Sequence, residues 1–357
     1  MVRHRGRARG RGVKRAVGGV LLALALTVPV PVAGATASVP PETSASGAAS
    51  GDLPSGVSVD HVEWPDGGED EQGCRVDLYV NSAAMPGEPL KVEMQLARDW
   101  YTHPEQTFGS VWMLGGIYGS DESNSWLTQA DAAEWYADKN VNLIMPVGGG
   151  ATFYTDWVNQ DNVETIKWET FLTEELPAVL AEDFRSDDRR AVMGVSMGAT
   201  ASVTLAGRHP DMFRFAGSFS GYLDMSSPGM PQAVDAMLKV WGRSTAANMW
   251  GPLGSQGWAD HDPKLLLDNL RDTTVFVYSG SGRLAPGEPT NDPVTAVTDQ
   301  GGEALSRMST ERFLSYAEDA GVPVHAEMHP TGAHNWNAWV PVMKDAWPLI
   351  AEALEVV

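Results

Sequence analysis

Five residues, Gly194-Val195-Ser196-Met197-Gly198, read G-x-S-x-G and stand between an apolar run and a stretch of small side chains. Ahead of them, Arg190-Ala191-Val192-Met193 suits a buried strand. Behind them, Ala199-Thr200-Ala201-Ser202-Val203-Thr204-Leu205-Ala206 suits a helix packed closely on a sheet. A serine on so sharp a turn has a strained backbone that bulky neighbours would crowd, so the flanking glycines answer a steric need. In isolation the pattern describes an accidental glycine-serine turn. The strand before it and the helix after it make Ser196 a candidate nucleophile.

Further apolar runs at Val111-Leu114, Val141-Pro146, Phe215-Ser218 and Thr274-Tyr278 alternate with helical patterns at Gln129-Lys139, Trp168-Ala181 and Glu303-Ala320. That alternation predicts an α/β sheet in one catalytic domain covering residues 57–357. No internal repeat is visible. Asp66-Gly67-Gly68-Glu69-Asp70 with Glu71-Gln72-Gly73 reads as a solvated acidic loop without chemistry.

The N-terminus is of another character. Arg3, Arg5, Arg7, Arg9, Arg11, Lys14 and Arg15 precede an apolar run from Ala16 to Ala33 and an A-x-A site at Ala35-Thr36-Ala37. These features predict a signal peptide over residues 1–37, cleaved before Ser38, and therefore a secreted protein. A retained anchor is disfavoured because Pro29 and Pro31 interrupt a run already short for a bilayer. Residues 38–56, rich in Ser, Ala, Gly and Pro, read as a flexible tether. The formal charge is −21, and loss of the seven leader cations leaves −28. Such a surface repels nucleic acid and anionic membranes, so neither is an expected partner. Cys74 is the single cysteine, which excludes an intrachain disulfide. No cysteine or histidine spacing resembles a zinc site, and neither metal nor cofactor is expected.

A serine hydroxyl is a weak nucleophile at neutral pH and needs a histidine base oriented by a carboxylate. In α/β-hydrolases these follow in the order serine, acid, histidine. His325, His329 and His334 all lie downstream of Ser196. His334, in the small-residue loop Thr331-Gly332-Ala333-His334-Asn335-Trp336, is favoured; His325 alternates along a strand-like run, and His329 is the reserve. Asp292, Asp299, Glu303 and Glu311 are the candidate acids, and position alone leaves the choice between Glu303 and Asp299. Glu303 stands where a helix would open, and there a carboxylate is favoured by the dipole alone. For the oxyanion, the Met197 N–H is one donor, and the glycine pair in Trp112-Met113-Leu114-Gly115-Gly116-Ile117 suggests a second near Ile117.

Several segments together resemble the antigen 85 family of secreted mycolyltransferases. They are Met145-Pro146-Val147-Gly148-Gly149, Phe153-Tyr154-Thr155-Asp156-Trp157, Lys167-Trp168-Glu169-Thr170-Phe171-Leu172-Thr173, Gly194-Val195-Ser196-Met197, Asn248-Met249-Trp250-Gly251-Pro252, Asp262-Pro263, Val277-Tyr278 and the segment ending in Trp336. The resemblance spans roughly residues 75 to 350. It implies an α/β-hydrolase fold, with a mostly parallel sheet flanked by helices. It places the family's nucleophile on Ser196, its glutamate on Glu303, its histidine on His334 and its oxyanion donors on Ile117 and Met197. Trp336 takes the place of the family aromatic that shapes the sugar or acyl subsite.

Two departures matter. Where the family reads Leu-Asp-Gly-Leu-Arg, this chain has Leu114-Gly115-Gly116-Ile117-Tyr118, losing an aspartate and an arginine that contact trehalose. Tyr118 is expected to stack on a sugar instead. The family cysteine after the late strand is Ser279, which the triad does not use. The resemblance implies transfer of a mycolyl group from a trehalose mycolate glycolipid to trehalose monomycolate or to a cell-wall arabinogalactan acceptor, by a monomer acting through an acyl-serine. A secreted carboxylesterase and a non-catalytic carbohydrate- or matrix-binding paralogue are the alternatives.

Overall fold

The computed structural model describes residues 53–67, 72–159, 165–242, 244–284 and 293–356. The expected signal peptide over residues 1–37, most of the expected tether and Asp292 lie outside these residues. No helix among the described residues is long and apolar enough to cross a membrane.

The described residues form a nine-stranded sheet. Its strands are β1 (Ser58–Glu63), β2 (Arg75–Asn81), β3 (Leu90–Gln95), β4 (Phe108–Leu114), β5 (Asn142–Pro146), β6 (Ser186–Val195), β7 (Phe215–Phe219), β8 (Thr274–Ser279) and β9 (Val324–Met328). Across the sheet the order is β1-β2-β3-β5-β4-β6-β7-β8-β9. Strands β1 to β3 form an antiparallel meander that joins β5 antiparallel. From β5 to β9 every pair is parallel. This is the mostly parallel α/β-hydrolase sheet that the sequence predicts.

Both faces of the central strands are covered, and the alternation of side chains shows it. Trp112 and Leu114 of β4 join one apolar cluster with Ile144, Val192, Ala216 and Val275, while Val111 and Met113 join the opposite one with Leu143, Ala191, Met193, Phe215 and Phe276. Strands buried on both faces need apolar residues at every position, which is why these runs were legible. Each large side chain so buried contributes about 1.5 to 3 kcal/mol of transfer free energy.

Three helices differ from expectation. The pattern Gln129-Lys139 resolves into Ser125–Ala130 and Ala132–Tyr136, because Asp131 between them takes a left-handed φ of 48°. The Trp168-Ala181 pattern contains a π-helical turn, Phe171–Glu175, just ahead of Pro177, which has no N–H to return to the Thr173 carbonyl. The helix expected to open at Glu303 runs from Pro293 to Ala320, so Glu303 sits in its interior and caps nothing. Tertiary contact overrides the weak helix preference of Gly301 and Gly302 there. Gly301 is exposed, and a Cβ on it would meet nothing within 4 Å. Gly301→Ala is expected to raise unfolding free energy by about 0.8 kcal/mol without changing activity, as read from denaturant midpoints.

The chain leaves β4, forms β5 on one side of it, then crosses back to form β6 on the other. A topological switch point lies between the carboxyl ends of β4 and β6, where open α/β sheets hold their ligands. Ser196 directly follows β6, and Gly115-Gly116 directly follow β4.

Candidate active site

Ser196 is the link between β6 and the helix Met197–Arg208, with φ 55° and ψ −118°. A non-glycine residue held there is strained, and such strain persists only where surroundings enforce it. Here they do: the Ser196 N–H donates to the Phe219 carbonyl of β7 at 2.9 Å. A Cβ at Gly198 would collide with the carbonyl oxygens of Gly115 and Leu114, and one at Gly194 with the Gly198 carbonyl. The two glycines of G-x-S-x-G therefore let strand, turn and helix close on one another. Gly116 passes so close that a Cβ on it would stand 3.7 Å from the Ser196 Cβ.

His334 Nδ1 lies 2.8 Å from Glu303 Oε2. Glu303 is fully buried. Its other oxygen accepts from the Ser220 hydroxyl at 2.9 Å, the Ser279 hydroxyl at 3.0 Å and the Gly280 N–H at 2.5 Å. A buried carboxylate without donors would be costly, and this one has four within reach. The Trp339 indole N–H donates to the Ser220 oxygen at 2.9 Å, which turns the Ser220 proton toward Glu303. The same indole meets the His334 ring edge-on at 5.0 Å between centroids. With a proton on Nδ1 facing Glu303, Nε2 carries the lone pair. Nε2 is buried and makes no hydrogen bond to a protein group, Ser196 included. Catalytic hydrogen bonds of this kind often close only when substrate binds.

The other candidates fall elsewhere. Asp299 meets His334 through its backbone carbonyl, which accepts the His334 N–H at 3.1 Å. Glu311 is exposed and pairs with Arg307 at 2.7 Å. His325 is exposed on β9, and His329 lies 3.5 Å from Glu327. Of the acids among the described residues, Glu303 is the one whose carboxylate meets the His334 ring, and Asp292 lies outside those residues.

Ile117 follows the glycine pair, and its N–H has no acceptor among the described residues. Met197 opens the helix behind Ser196. Tyr118 is 71% exposed and meets Trp241, also exposed, edge-on at 5.8 Å. Trp336 is half-buried, wedged between Trp126 at 5.2 Å and Trp339 at 5.3 Å. The rings that meet His334 are those of Trp339, edge-on at 5.0 Å, and Tyr222, tilted at 6.1 Å between centroids.

No local pattern in the sequence singles out Ser220 or Trp339, and Ser279 was set aside as irrelevant to the triad. In the structure the Ser279 hydroxyl reaches Glu303, because the carboxyl end of β8 runs beside the long helix. Ser220 directly follows β7 and Ser279 ends β8, and polar residues at the carboxyl ends of parallel strands were the signal available. Trp339 stands one helical turn beyond Trp336 and shares its face.

A family model described as "Putative esterase" matches residues 82–350. The diacylglycerol acyltransferase/mycolyltransferase Ag85A of Mycobacterium leprae is 31% identical over 285 residues, 78% of this chain and 82% of its own. The Ag85B protein of the same organism is 33% identical over 271 residues, covering 73% of this chain and 79% of its own. Among solved structures, Mycobacterium tuberculosis MPT51 superposes with a TM-score of 0.64 at 26% identity, covering 77% of this chain and 98% of its own. An S-formylglutathione hydrolase from Agrobacterium tumefaciens shares the fold at 17% identity, with a TM-score of 0.58 over 83% of this chain and 99% of its own. The two Ag85 relatives are named acyltransferases, and with the match over residues 82–350 they establish that the chain belongs to the esterase family and, within it, to the antigen 85 mycolyltransferases.

Proposed function

We propose that this protein is a secreted acyltransferase that moves a mycolyl group from trehalose monomycolate to a sugar hydroxyl through an acyl group on Ser196. The observation that carries the reading is the Glu303–His334 pair, with a His334 nitrogen that meets no protein group, in a chain whose strained serine follows β6 at the switch point. Ser196 Oγ attacks the ester carbonyl while its proton passes to His334 Nε2. The N–H groups of Ile117 and Met197 receive the negative charge that forms on the carbonyl oxygen. As the C–O bond to trehalose breaks, His334 returns the proton to the departing sugar. The acceptor hydroxyl repeats the sequence against the acyl-serine, with His334 again taking and returning one proton. Glu303 holds the ring and stabilises the imidazolium.

Transfer prevails over hydrolysis when a sugar is held beside His334 and water is excluded. Tyr118, with Trp241 edge-on behind it, and the exposed part of Trp336 are the side chains assigned to sugar contact. An aromatic face offers the C–H surface of a pyranose a flat apolar partner. Gly115 and Tyr118 also give the carboxylesterase reading its support, since they remove an aspartate and an arginine from the sugar side. Charge-assisted hydrogen bonds of that kind are worth about 1.5 to 3 kcal/mol each.

The decisive experiment incubates the fragment beginning at Ser38 with purified trehalose monomycolate and follows products and protein by mass spectrometry. Trehalose dimycolate with a mycolyl adduct on Ser196 is the expected result. Free mycolic acid, unaffected by trehalose or arabinan acceptors, would make the protein a carboxylesterase. Neither product and an unmodified Ser196 would make it a binding protein.

A further inference from the structure

A single loop touches both segments that carry the proposed oxyanion donors. Ala151, Phe153 and Tyr154 take φ values of 58°, 56° and 49°, three non-glycine residues in the left-handed region within four positions. All three are almost fully buried. The loop is pinned from within: the Thr152 hydroxyl donates to the Gly149 carbonyl at 2.6 Å and accepts the Tyr154 N–H at 3.2 Å, while the Trp157 indole donates to the Thr152 carbonyl at 3.1 Å. Trp168 supports the Tyr154 ring edge-on at 5.6 Å. Strain maintained by this many contacts marks a segment with a positional task.

Two of its contacts reach the site. The Tyr154 hydroxyl accepts the Gly115 N–H at 3.0 Å and donates to the Gly148 carbonyl at 3.3 Å. The Phe153 N–H donates to the Met197 sulfur at 3.3 Å. Gly115 opens the segment that carries Ile117, and Met197 is the residue behind the nucleophile. Because Gly115 spends its N–H on the phenol, the peptide that enters the loop is fixed, and the N–H groups of Gly116 and Ile117 that follow have no protein acceptor among the described residues. Burial pushes the Tyr154 phenol up to about 12, against the Gly115 N–H, so its proton stays on the oxygen and continues to donate to Gly148.

We infer that Tyr154 is a positioning residue for the oxyanion hole: its hydroxyl fixes the Gly115 peptide so that the Ile117 N–H points at the reacting carbonyl, while the adjoining Phe153 N–H holds Met197. The inference deepens the proposed acyl-serine reaction and rests on it. A preorganised donor acts on the transition state and leaves ground-state affinity nearly unchanged.

The test compares unmodified enzyme with Tyr154→Phe, each normalised to titrated active sites. It measures turnover of a p-nitrophenyl ester and the rate at which a p-nitrophenyl alkylphosphonate modifies Ser196. A phosphonate places its oxygen where the oxyanion forms. Tyr154→Phe is expected to lower kcat and the phosphonylation rate together by about 10- to 100-fold, with KM changed less than about twofold. A merely structural role would reduce the number of active sites and leave the rate per site intact. Should Tyr154→Phe fail to fold, Met197→Leu, which removes the sulfur acceptor and keeps the volume, is expected to slow both rates several-fold. Unchanged rates per site in the folded variant overturn the inference and leave the proposed function standing. Failure of the phosphonate to modify Ser196 in the unmodified enzyme overturns both.

Discussion

Replacing Ser196 with alanine is expected to lower kcat for acyl transfer by about 10⁶, and replacing Glu303 with glutamine by about 10⁴, with the fold of both variants intact. Alanine removes the atom that is acylated, and what remains is substrate binding beside the oxyanion donors. Glutamine is nearly isosteric with glutamate, so the buried cradle of Ser220, Ser279 and Gly280 persists around it. Its amide group must then present either an N–H or a carbonyl to His334 Nδ1, now 2.8 Å from a carboxylate oxygen. If the N–H faces the ring, Nδ1 becomes the acceptor and the ring proton moves to Nε2, the nitrogen that must accept from Ser196. If the carbonyl does, the two serine hydroxyls keep a donor as partner only by reorienting, and the imidazolium loses its counter-charge. Either outcome raises the barrier while leaving ester affinity alone, so KM should stay within about threefold. Circular dichroism and thermal melts would verify folding, and stopped-flow measurement of acyl-enzyme formation would give the rate. A Ser196→Ala variant that keeps more than about 1% of the transfer rate would remove Ser196 from the mechanism.

How much of this was legible in the chain depended on which forces act locally. Strands β4 to β8 are buried on both faces, so their apolar runs need no partner to be recognised. The meander β1 to β3 was invisible because its strands carry charges. Lys91 lies 2.7 Å from Asp77 on β2 and 3.2 Å from Glu93 on its own strand, so Asp77 gains its counter-charge only once β2 and β3 pair. The acidic loop read as solvated is in part the turn between β1 and β2, where Asp66 accepts from the N–H groups of Cys74 and Arg75. Ser196 could be found because the chemistry of a sharp turn is written in five neighbouring residues. The acid could not be chosen on position, since Asp299 and Glu303 lie one turn apart on the same helix and only its orientation against β8 brings Glu303 to His334. Ser220, Ser279 and Trp339 come from three further elements, and no local pattern joins them.

Glu169 offers the largest expected effect on stability. It is nearly buried at the start of the helix Trp168–Thr170. Its Oε1 accepts from Arg208 Nε at 2.7 Å and meets His209 Nε2 at 2.8 Å. Its Oε2 accepts from the Thr155 hydroxyl at 3.4 Å and faces His261 Nε2 at 3.7 Å, beyond hydrogen-bond distance but close enough for charge to act. His261 is itself stacked on Trp250 with centroids 4.9 Å apart. One carboxylate thus ties the end of the helix behind Ser196 to the Tyr154 loop and to the segment around residue 261. Burial works against the charge on Glu169, but His209, His261 and Arg208 outweigh it and hold the group well below the usual carboxylate range. A depressed folded pKa means that the unfolded chain binds the proton more readily. The stabilisation is therefore complete above the unfolded value of about 4.3 and is withdrawn as pH falls below it. Glu169→Gln leaves Arg208 and two imidazoles without their anion. Because Arg208 and His209 are about a third exposed, water softens the loss, and a fall of about 3 kcal/mol in unfolding free energy at pH 7 is expected. Urea titrations at pH 7 and pH 3.5 would check it: the gap between unmodified protein and variant should narrow at the lower pH. A gap that stays constant would show that the Glu169 charge contributes nothing to the fold.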